Sequence, residues 1–570
     1  MYKCIFEKWL ENTAGNNKIH NELLKIKYND ELVSDAFYTE LDFGTAGLRG
    51  IIGAGTNRMN IYTVGRATQA LAEYVLSISK NPSVAIAYDS RINSALFAKT
   101  AAAILAENGV TAYIYNELMP TPMLSFAVRE LNCDAGIVIT ASHNPAKYNG
   151  YKVYGPDGCQ LSTAAADNIM KMMQKTDYFE DVKYGNFEEL LTKGTVKYIA
   201  DSVIENYFKA VKSQSINGDT LDISDFSVIY TPLHGTGNKP VREILRRIGI
   251  ESVAVVSEQE LPDGNFPTAP YPNPEMKQPF ELALRMAEKC NADILLATDP
   301  DADRVGIAVN DGKEFKLMTG NDVGALMLNY ILECRTNNGT LPNNPVAVKT
   351  IVTTELCQKI ADKYGCELIN ILTGFKYIGE QIAILEEKHE EDRYILGFEE
   401  SYGYLTGTYV RDKDAVVASM LICEMAAYYK TKGLTLIDKL NELYKEFGYF
   451  INRQISYSFE GQSGMKKMSE IMQNLRTNPP VEFANQRIVS VEDYLSSERT
   501  EVHNNKKTLI TLPKSDVITF NFENGSKIIF RPSGTEPKIK IYICAVDTDE
   551  NTALSNIEKI SNDAEKIMKQ

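Results

Sequence analysis

Val138-Ile139-Thr140-Ala141-Ser142-His143-Asn144-Pro145-Ala146-Lys147-Tyr148-Asn149-Gly150-Tyr151-Lys152 is the stretch on which the reading of this chain turns. The apolar run Ala135 to Ile139 reads as a strand and delivers Ser142 to a tight polar turn. Asn144-Pro145 holds the backbone out of helix, and Lys152 follows after Asn149-Gly150. A strand ending in such a turn presents one hydroxyl at a sheet edge, where α/β proteins place their chemistry. His143 and Lys152 set a donor and a cation beside that hydroxyl, which suits covalent catalysis. A turn serine more often only satisfies backbone groups, so the reading needs support from the rest of the chain.

Three other loops supply it. Thr298-Asp299-Pro300-Asp301-Ala302-Asp303-Arg304 follows the apolar strand Asp293 to Ala297. Its alternating carboxylates, Asp299, Asp301 and Asp303, repel unless a cation neutralises them, and an oxygen-only set suits Mg²⁺ before Zn²⁺. The alternative is a solvated acidic turn. An EF-hand is a poor alternative, because the loop lacks the glycine at its sixth position and the glutamate at its twelfth. Arg531-Pro532-Ser533-Gly534-Thr535-Glu536-Pro537 lies between two β-like runs, Lys527 to Phe530 and Lys538 to Cys544. Its hydroxyls, backbone N–H groups and Arg531 can hold an anion, and the alternative is a surface hairpin loop. Gly397-Phe398-Glu399-Glu400-Ser401-Tyr402-Gly403 follows the run Arg393 to Leu396 and offers carboxylates and a hydroxyl suited to sugar hydroxyls. Downstream, Arg411-Asp412-Lys413-Asp414 adds cationic groups within reach of a phosphate; its alternative is a solvated charge run.

The four loops, in this order, resemble the α-D-phosphohexomutase superfamily over nearly the whole chain: phosphoserine loop, metal loop, sugar loop, phosphate loop. Leu41-Asp42-Phe43-Gly44-Thr45-Ala46-Gly47-Leu48-Arg49-Gly50 and Thr373-Gly374-Phe375-Lys376 add to the likeness. The first of these, with Gly55 to Asn60, looks most like the branch of the long bacterial phosphoglucomutases and animal phosphopentomutases. The resemblance implies three similar mixed α/β domains plus a smaller α+β C-terminal domain around a central cleft. The expected boundaries give 1–215 for the phosphoserine domain, 216–325 for the metal domain, 326–444 for the sugar domain and 445–570 for the phosphate domain.

The resemblance also implies a relay. Ser142 carries a phosphate, gives it to a sugar monophosphate, and takes back the other phosphate after the bisphosphate turns over. One Mg²⁺ would be held by Ser142, Asp299, Asp301 and Asp303. Arg49, His143, Lys152 and Arg304 would surround the reacting group. Glu399 and Ser401 would bind sugar hydroxyls, with Thr373, Gly374 and Lys376 nearby. Arg531, Ser533, Gly534, Thr535 and Lys413 would hold the nonreacting phosphate. The sugar loop resembles the glucose-type pattern, which implies exchange between glucose 1-phosphate and glucose 6-phosphate with glucose 1,6-bisphosphate as activator and intermediate. A phosphomannomutase-type loop has Met and His where this chain has Glu400 and Gly403. Phosphopentomutase and phosphomannomutase are the alternatives, followed by bisphosphate synthesis, a plain phosphatase and noncatalytic sugar-phosphate binding.

Bulk composition agrees with a soluble globular enzyme. The 570 residues are 44% hydrophobic and 24% charged, with room for three to four domains. A net charge of −15 argues against a nucleic-acid partner and leaves phosphate binding to local cations. Nine scattered cysteines without a C-x-x-C pair read as reduced thiols in the cytoplasm. Met1 to Glu11 lacks a signal peptide's apolar core, and Ala415 to Tyr429, which holds Glu424, is too short to span a bilayer and reads as a buried helix. A monomer or homodimer is expected.

Strand and helix alternate along the chain. Ser83 to Tyr88 reads as strand, Ser94 to Asn108 as helix stopped by Gly109, Thr111 to Tyr115 as strand and Thr121 to Leu131 as helix. The pattern starts again at Phe226 to Tyr230, with Asn238 to Gly249 helical, and a third time at Val346 to Ile351. Such units predict parallel sheets with crossover helices. Ile455 to Asn505 gives no clear pattern. His234 reads as a structural loop histidine, and His20, His389 and His503 take no role.

Overall fold

The strand that leads to Ser142 lies inside a six-stranded sheet. In the computed structural model, which describes residues 2–44, 47–218, 221, 225–459, 461–533 and 538–569, the order is Leu48–Ile51, Tyr148–Tyr154, Ala135–Ile139, Ser83–Tyr88, Thr111–Ile114, Val196–Tyr198. Ala135–Ile139 is buried throughout and packed by the helices Ser94–Glu107 and Thr121–Glu130. The Ala-rich sequence of Ser94–Glu107 favours helix, and Gly109 ends it at φ +83°, a conformation that glycine adopts without a Cβ penalty. Asn60 starts the helix Ile61–Ile78 with a capping box: its side chain accepts from the Tyr62 and Thr63 amides, and the Thr63 hydroxyl accepts from the Asn60 amide.

A second sheet runs Phe315–Met318, Val305–Asn310, Ile294–Thr298, Ser227–Thr231, Ser252–Val255. Both sheets are mixed, not purely parallel as the alternation predicts. Tyr148–Tyr154 returns antiparallel to Ala135–Ile139 with Lys152 opposite Val138, and Val305–Asn310 returns antiparallel to Ile294–Thr298 with Val305 opposite Thr298. The connections 140–147 and 299–304 are too short for a crossover, which needs about a dozen residues. Each chemical loop is therefore the turn of a hairpin, held at both ends by a hydrogen-bonded ladder.

The chain divides into two compact units: 1–319 with 378–396 and 401–431, and 320–377 with 397–400 and 432–570. The first holds both sheets above and the helix Ala415–Thr431, which is buried as expected and packs against Asn238–Arg247. Its Glu424 carboxylate accepts from the Ile216 and Asn217 amides at 2.9 and 3.0 Å and from the Ser215 hydroxyl. In the second unit, Val346–Thr350 and Glu367–Ile371 pair in parallel through the helix Leu356–Tyr364. Its C-terminal part is α+β. An antiparallel sheet runs Tyr449–Ser458, Lys538–Asp547, Lys527–Pro532, Ile518–Phe522, Gln486–Asp493, Glu498–Glu501, Lys507–Leu509. Helices Gly461–Thr477 and Glu550–Lys569 accompany it, and Ile557, Ile560, Ala564 and Met568 of the latter enter its core. Among the described residues no helix is long and apolar enough to cross a membrane.

Candidate active site

Ser142 sits at the tip of the first hairpin at φ +51°, the left-handed region. Its amide donates to the Thr140 hydroxyl at 2.8 Å, and its hydroxyl donates to Asp299 Oδ2 at 2.7 Å. His143 Nδ1 lies 3.1 Å from the same hydroxyl. The first and second hairpins thus meet at one oxygen, which sequence spacing alone could not establish.

The second hairpin turns through Ala302 at φ +47°. Asp299 Oδ1 accepts from the Asp303 and Arg304 amides at 3.2 and 3.0 Å, which fixes the carboxylate against its own loop. Asp299, Asp301 and Asp303 are buried and offer ligand oxygens within 4.8 Å of one another. Asp301 Oδ1 and Asp303 Oδ1 are buried without a hydrogen-bond partner. Carboxylate oxygens in that state are costly, and a hard divalent cation relieves the cost, so this donor set could hold one.

Lysines meet the other oxygens. Lys152 Nζ, on the strand Tyr148–Tyr154, lies 2.9 Å from Asp301 Oδ2 and 3.7 Å from Asp303 Oδ2. Lys413 Nζ lies 3.3 Å from Asp303 Oδ2 and 2.9 Å from Asp412 Oδ1. Burial, reinforced by Asp303 and Asp301, raises Asp299 well above the usual carboxylate range. Burial would raise Asp303 too, but Lys413, Lys152 and Arg304 hold it below that range. Lys152 is raised by Asp301 and Asp303 against the burial that would lower it. Burial, then Arg304 and Arg49, push His143 well below the ordinary imidazole range, so its ring is neutral. Arg49 is exposed on the edge strand Leu48–Ile51, opposite Gly150. Arg304 pairs with Glu275 at 2.6 Å and lies 3.8 Å from Asp303 Oδ1.

Three supporting residues carried no clear sequence signal for this role. Thr121 donates through its hydroxyl to Asp301 Oδ2 at 3.0 Å and through its amide to the Asp301 carbonyl at 2.9 Å. Thr140 anchors the Ser142 amide. Asp412 accepts from the Tyr154 hydroxyl at 2.7 Å, from Gln160 at 3.2 Å and from Lys413, and so places the lysine. The neighbouring Arg411 does not reach outward as the charge run suggests. It is buried, donates to the Thr408 and Val410 carbonyls and pairs with Glu386. His234 is structural: Nδ1 lies 3.1 Å from the Leu261 carbonyl and Nε2 2.9 Å from the Thr268 hydroxyl. Ser401 precedes Tyr402, at φ +65°, whose carbonyl accepts from the Val305 amide.

The second unit gathers a different set. Glu399 is buried at the end of the strand Tyr394–Glu399, and its Oε1 accepts from the Gly374 amide at 2.9 Å. Gly374, at φ +124°, follows Thr373 in the turn before the helix Lys376–Glu387, and Lys376 Nζ lies 4.9 Å from the centre of the Tyr377 ring. Glu400 accepts from the Thr350 hydroxyl at 3.3 Å. Arg531 is half-buried opposite Lys540, and the Ser533 amide donates to the Lys538 carbonyl at 2.7 Å. Gly534 and Thr535 lie outside the described residues, as do Thr45 and Ala46.

Three family models match this chain in order. They are the phosphoglucomutase/phosphomannomutase α/β/α domains I, II and III, over residues 40–180, 205–312 and 319–447. A phosphoglucomutase of Staphylococcus saprophyticus is 36% identical over 563 residues, covering 98% of each chain. One of Staphylococcus aureus is 39% identical over 547 residues, covering 94% of this chain and 95% of its own. Among solved structures, the fold is shared with the Paramecium phosphoprotein parafusin (TM-score 0.70, 20% identity, 93% of this chain and 96% of that one). It is also shared with a Burkholderia thailandensis phosphoglucomutase/phosphomannomutase family protein (TM-score 0.67, 16% identity, 92% and 97%). Domain order, near full-length identity and a serine set against three buried aspartates agree: this chain belongs to the phosphoglucomutase/phosphomannomutase family.

Proposed function

We propose that the chain is a phosphoglucomutase that interconverts glucose 1-phosphate and glucose 6-phosphate through a phosphorylated Ser142 and glucose 1,6-bisphosphate. The observation that carries the reading is the Ser142 hydroxyl 2.7 Å from Asp299 Oδ2, beside two carboxylate oxygens without hydrogen-bond partners. The name borne by the staphylococcal relatives supports the substrate.

Ser142, Asp299, Asp301 and Asp303 would hold one Mg²⁺. When bound, it would withdraw charge from the phosphoryl oxygens. The protein's own residues do the rest. As phospho-Ser142 gives up its phosphoryl group, the Oγ–P bond breaks and a bond to the sugar oxygen forms. The hydroxyl proton of the sugar leaves, and Oγ regains one. In the return step the bond from the second phosphorus to its sugar oxygen breaks, phosphorus bonds to Oγ, and the Ser142 proton passes to the freed sugar oxygen. His143 Nδ1 lies 3.1 Å from Oγ, so it is the group assigned to pass that proton between Oγ and the sugar oxygen. Lys152 and Arg304 balance the charge spread over the transferring oxygens, and Arg49 adds to that field. Glu399 and Ser401 would orient sugar hydroxyls, with Thr373, Gly374 and Lys376 beside them. Lys413, Arg531 and the Ser533 to Thr535 loop would hold the second phosphate.

Four domains, with boundaries near 215, 325 and 444, are proposed on the order of the three matched segments. Nine scattered cysteines without a C-x-x-C pair support work in the reducing cytoplasm.

The test is ³¹P NMR of the purified protein with Mg²⁺ and a trace of glucose 1,6-bisphosphate, offering glucose 1-phosphate, mannose 1-phosphate and ribose 1-phosphate together. Fast conversion of the glucose ester is expected. Faster conversion of the ribose ester would keep the relay and change the substrate. No isomerisation of any ester would overturn the reading.

A further inference from the structure

Arg91 lies outside the four loops, yet both terminal nitrogens of its guanidinium meet the Ser142 turn. It follows the strand Ser83–Tyr88, and its side chain is fully buried. One terminal nitrogen donates to the Pro145 and Tyr148 carbonyls, each at 3.0 Å. The other donates to the carbonyls of Ser142 and Asn144. Four carbonyls of one short turn therefore converge on a single guanidinium.

The arginine is itself held on two sides. Asp89 Oδ2 faces its Nε at 3.2 Å, while Asp89 Oδ1 accepts from the Arg91 amide at 2.9 Å and the Ser94 hydroxyl at 2.7 Å. The ring of Phe266, from the loop that His234 anchors, lies 5.0 Å from the guanidinium carbon. A planar fork of this kind cannot be replaced by the single ammonium of lysine, which offers no two parallel arms.

Resting on the mutase reading above, we infer that Arg91 is a positioning residue for Ser142. It fixes the 142–148 turn through its carbonyls and so keeps Ser142 in a left-handed conformation with Oγ aimed at Asp299. A residue with a side chain adopts that region only where its surroundings impose it. The hydrogen bonds of Arg91 go to the turn carbonyls, while Asp299 and Asp301 act on it through their charge; a lysine keeps that charge and loses the fork, so R91K tests geometry.

Arg66 provides the matched control. It too is a buried arginine of the first domain that donates to carbonyls, those of Met173 and Thr176, at 2.8 Å each. Full-length wild type, R91K and R66K would be compared for the rate of Ser142 phosphorylation by glucose 1,6-bisphosphate, followed by intact mass. The kcat and KM for glucose 1-phosphate and the Tm would accompany it. R91K should lose roughly 100-fold in phosphorylation rate and kcat with KM little changed, because small misplacement of a reacting atom costs that much. R66K should lose Tm without that loss of rate. R91K phosphorylated at the wild-type rate, or R66K with an equal rate loss, overturns the inference. If R91K does not fold, D89N serves: it keeps shape and removes the counter-charge. At least about a tenfold loss in phosphorylation rate is then expected, and a wild-type rate overturns the inference. Wild type that takes no phosphate at all would instead sink the mutase reading.

Discussion

Ser142 Oγ and Asp299 Oδ2, on the turns of two hairpins from two different sheets, stand 2.7 Å apart. The Ser142 hydroxyl and the carboxylate cluster are therefore one construction, and loss of a carboxylate should act on both. Asp299→Asn should weaken Mg²⁺ binding by at least about 100-fold, since even outer partners of a metal site cost 10 to 100-fold. Isothermal titration with Mg²⁺ measures this directly. Mg²⁺ should raise the Tm of wild type and leave that of D299N unmoved. Equal Mg²⁺ affinity in the two proteins would remove the metal from this site.

Lys152 is a counter-charge for Asp301 and Asp303. Lys152→Met leaves these buried carboxylates short of a partner, and stability should fall by about 3 to 5 kcal/mol. Urea denaturation reads the loss. Added Mg²⁺ should restore more stability to K152M than to wild type, because the ion meets the same charge. A loss no larger than that from an exposed lysine such as Lys239 would show that Lys413 alone neutralises the cluster.

Gly403 has no room for a side chain. A Cβ there would stand 2.1 Å from Lys413 Cδ and 2.7 Å from its Cγ. Gly403→Ala must push Lys413 away from Asp303 and Asp412. A cost of about 1 to 3 kcal/mol is expected from overpacking, with a higher KM for the sugar phosphate. Gly403→His, which imports a residue of the mannose-type loop, should be more damaging without creating mannose 1-phosphate turnover. Wild-type KM in G403A would show that Lys413 takes no part in substrate binding.

The loops were legible because each concentrates polar chemistry directly after an apolar strand, as at Ile139 and Ala297. Their partners were not. Thr121 bonds Asp301 from 180 residues away, and nothing local to Pro120-Thr121-Pro122 signals it. Arg91 sits in Asp89-Ser90-Arg91, which reads as an ordinary polar turn until the carbonyls of 142–148 close around it. The hairpin returns were missed because alternating strand and helix signals say nothing about strand direction. Ile455 to Ser458 gave no clear pattern because the strand Tyr449–Ser458 is half-buried or exposed at every position but Phe450, so no apolar run marks it. Arg411 misled because a run of four charges looks solvated, whereas all four are buried with partners.

Glu355 gives the second unit a pH dependence of known sign. It bonds Lys349 Nζ at 3.0 Å and Lys527, whose Nζ also donates to the Ile351 carbonyl at 2.8 Å. Burial alone would raise this carboxyl, but Lys527 and Lys349 pull it from the ordinary 4.5 down to about 2. A carboxylate whose folded value is depressed contributes stability that is full above 4.5 and disappears as pH falls through the folded value. The shift corresponds to about 2 to 3 kcal/mol after allowance for a side chain that is 29% exposed. Glu355→Gln should therefore be less stable than wild type by that amount at about pH 6, with Lys349 left buried beside an amide. The gap should narrow as pH falls from about 5 toward 2.5, because only wild type has this proton to take up. Urea denaturation of both proteins across that range measures it, and the comparison cancels the acid sensitivity of every other carboxylate. A gap that stays constant down to about pH 3 would mean that Glu355 holds the two lysines by shape and not by charge.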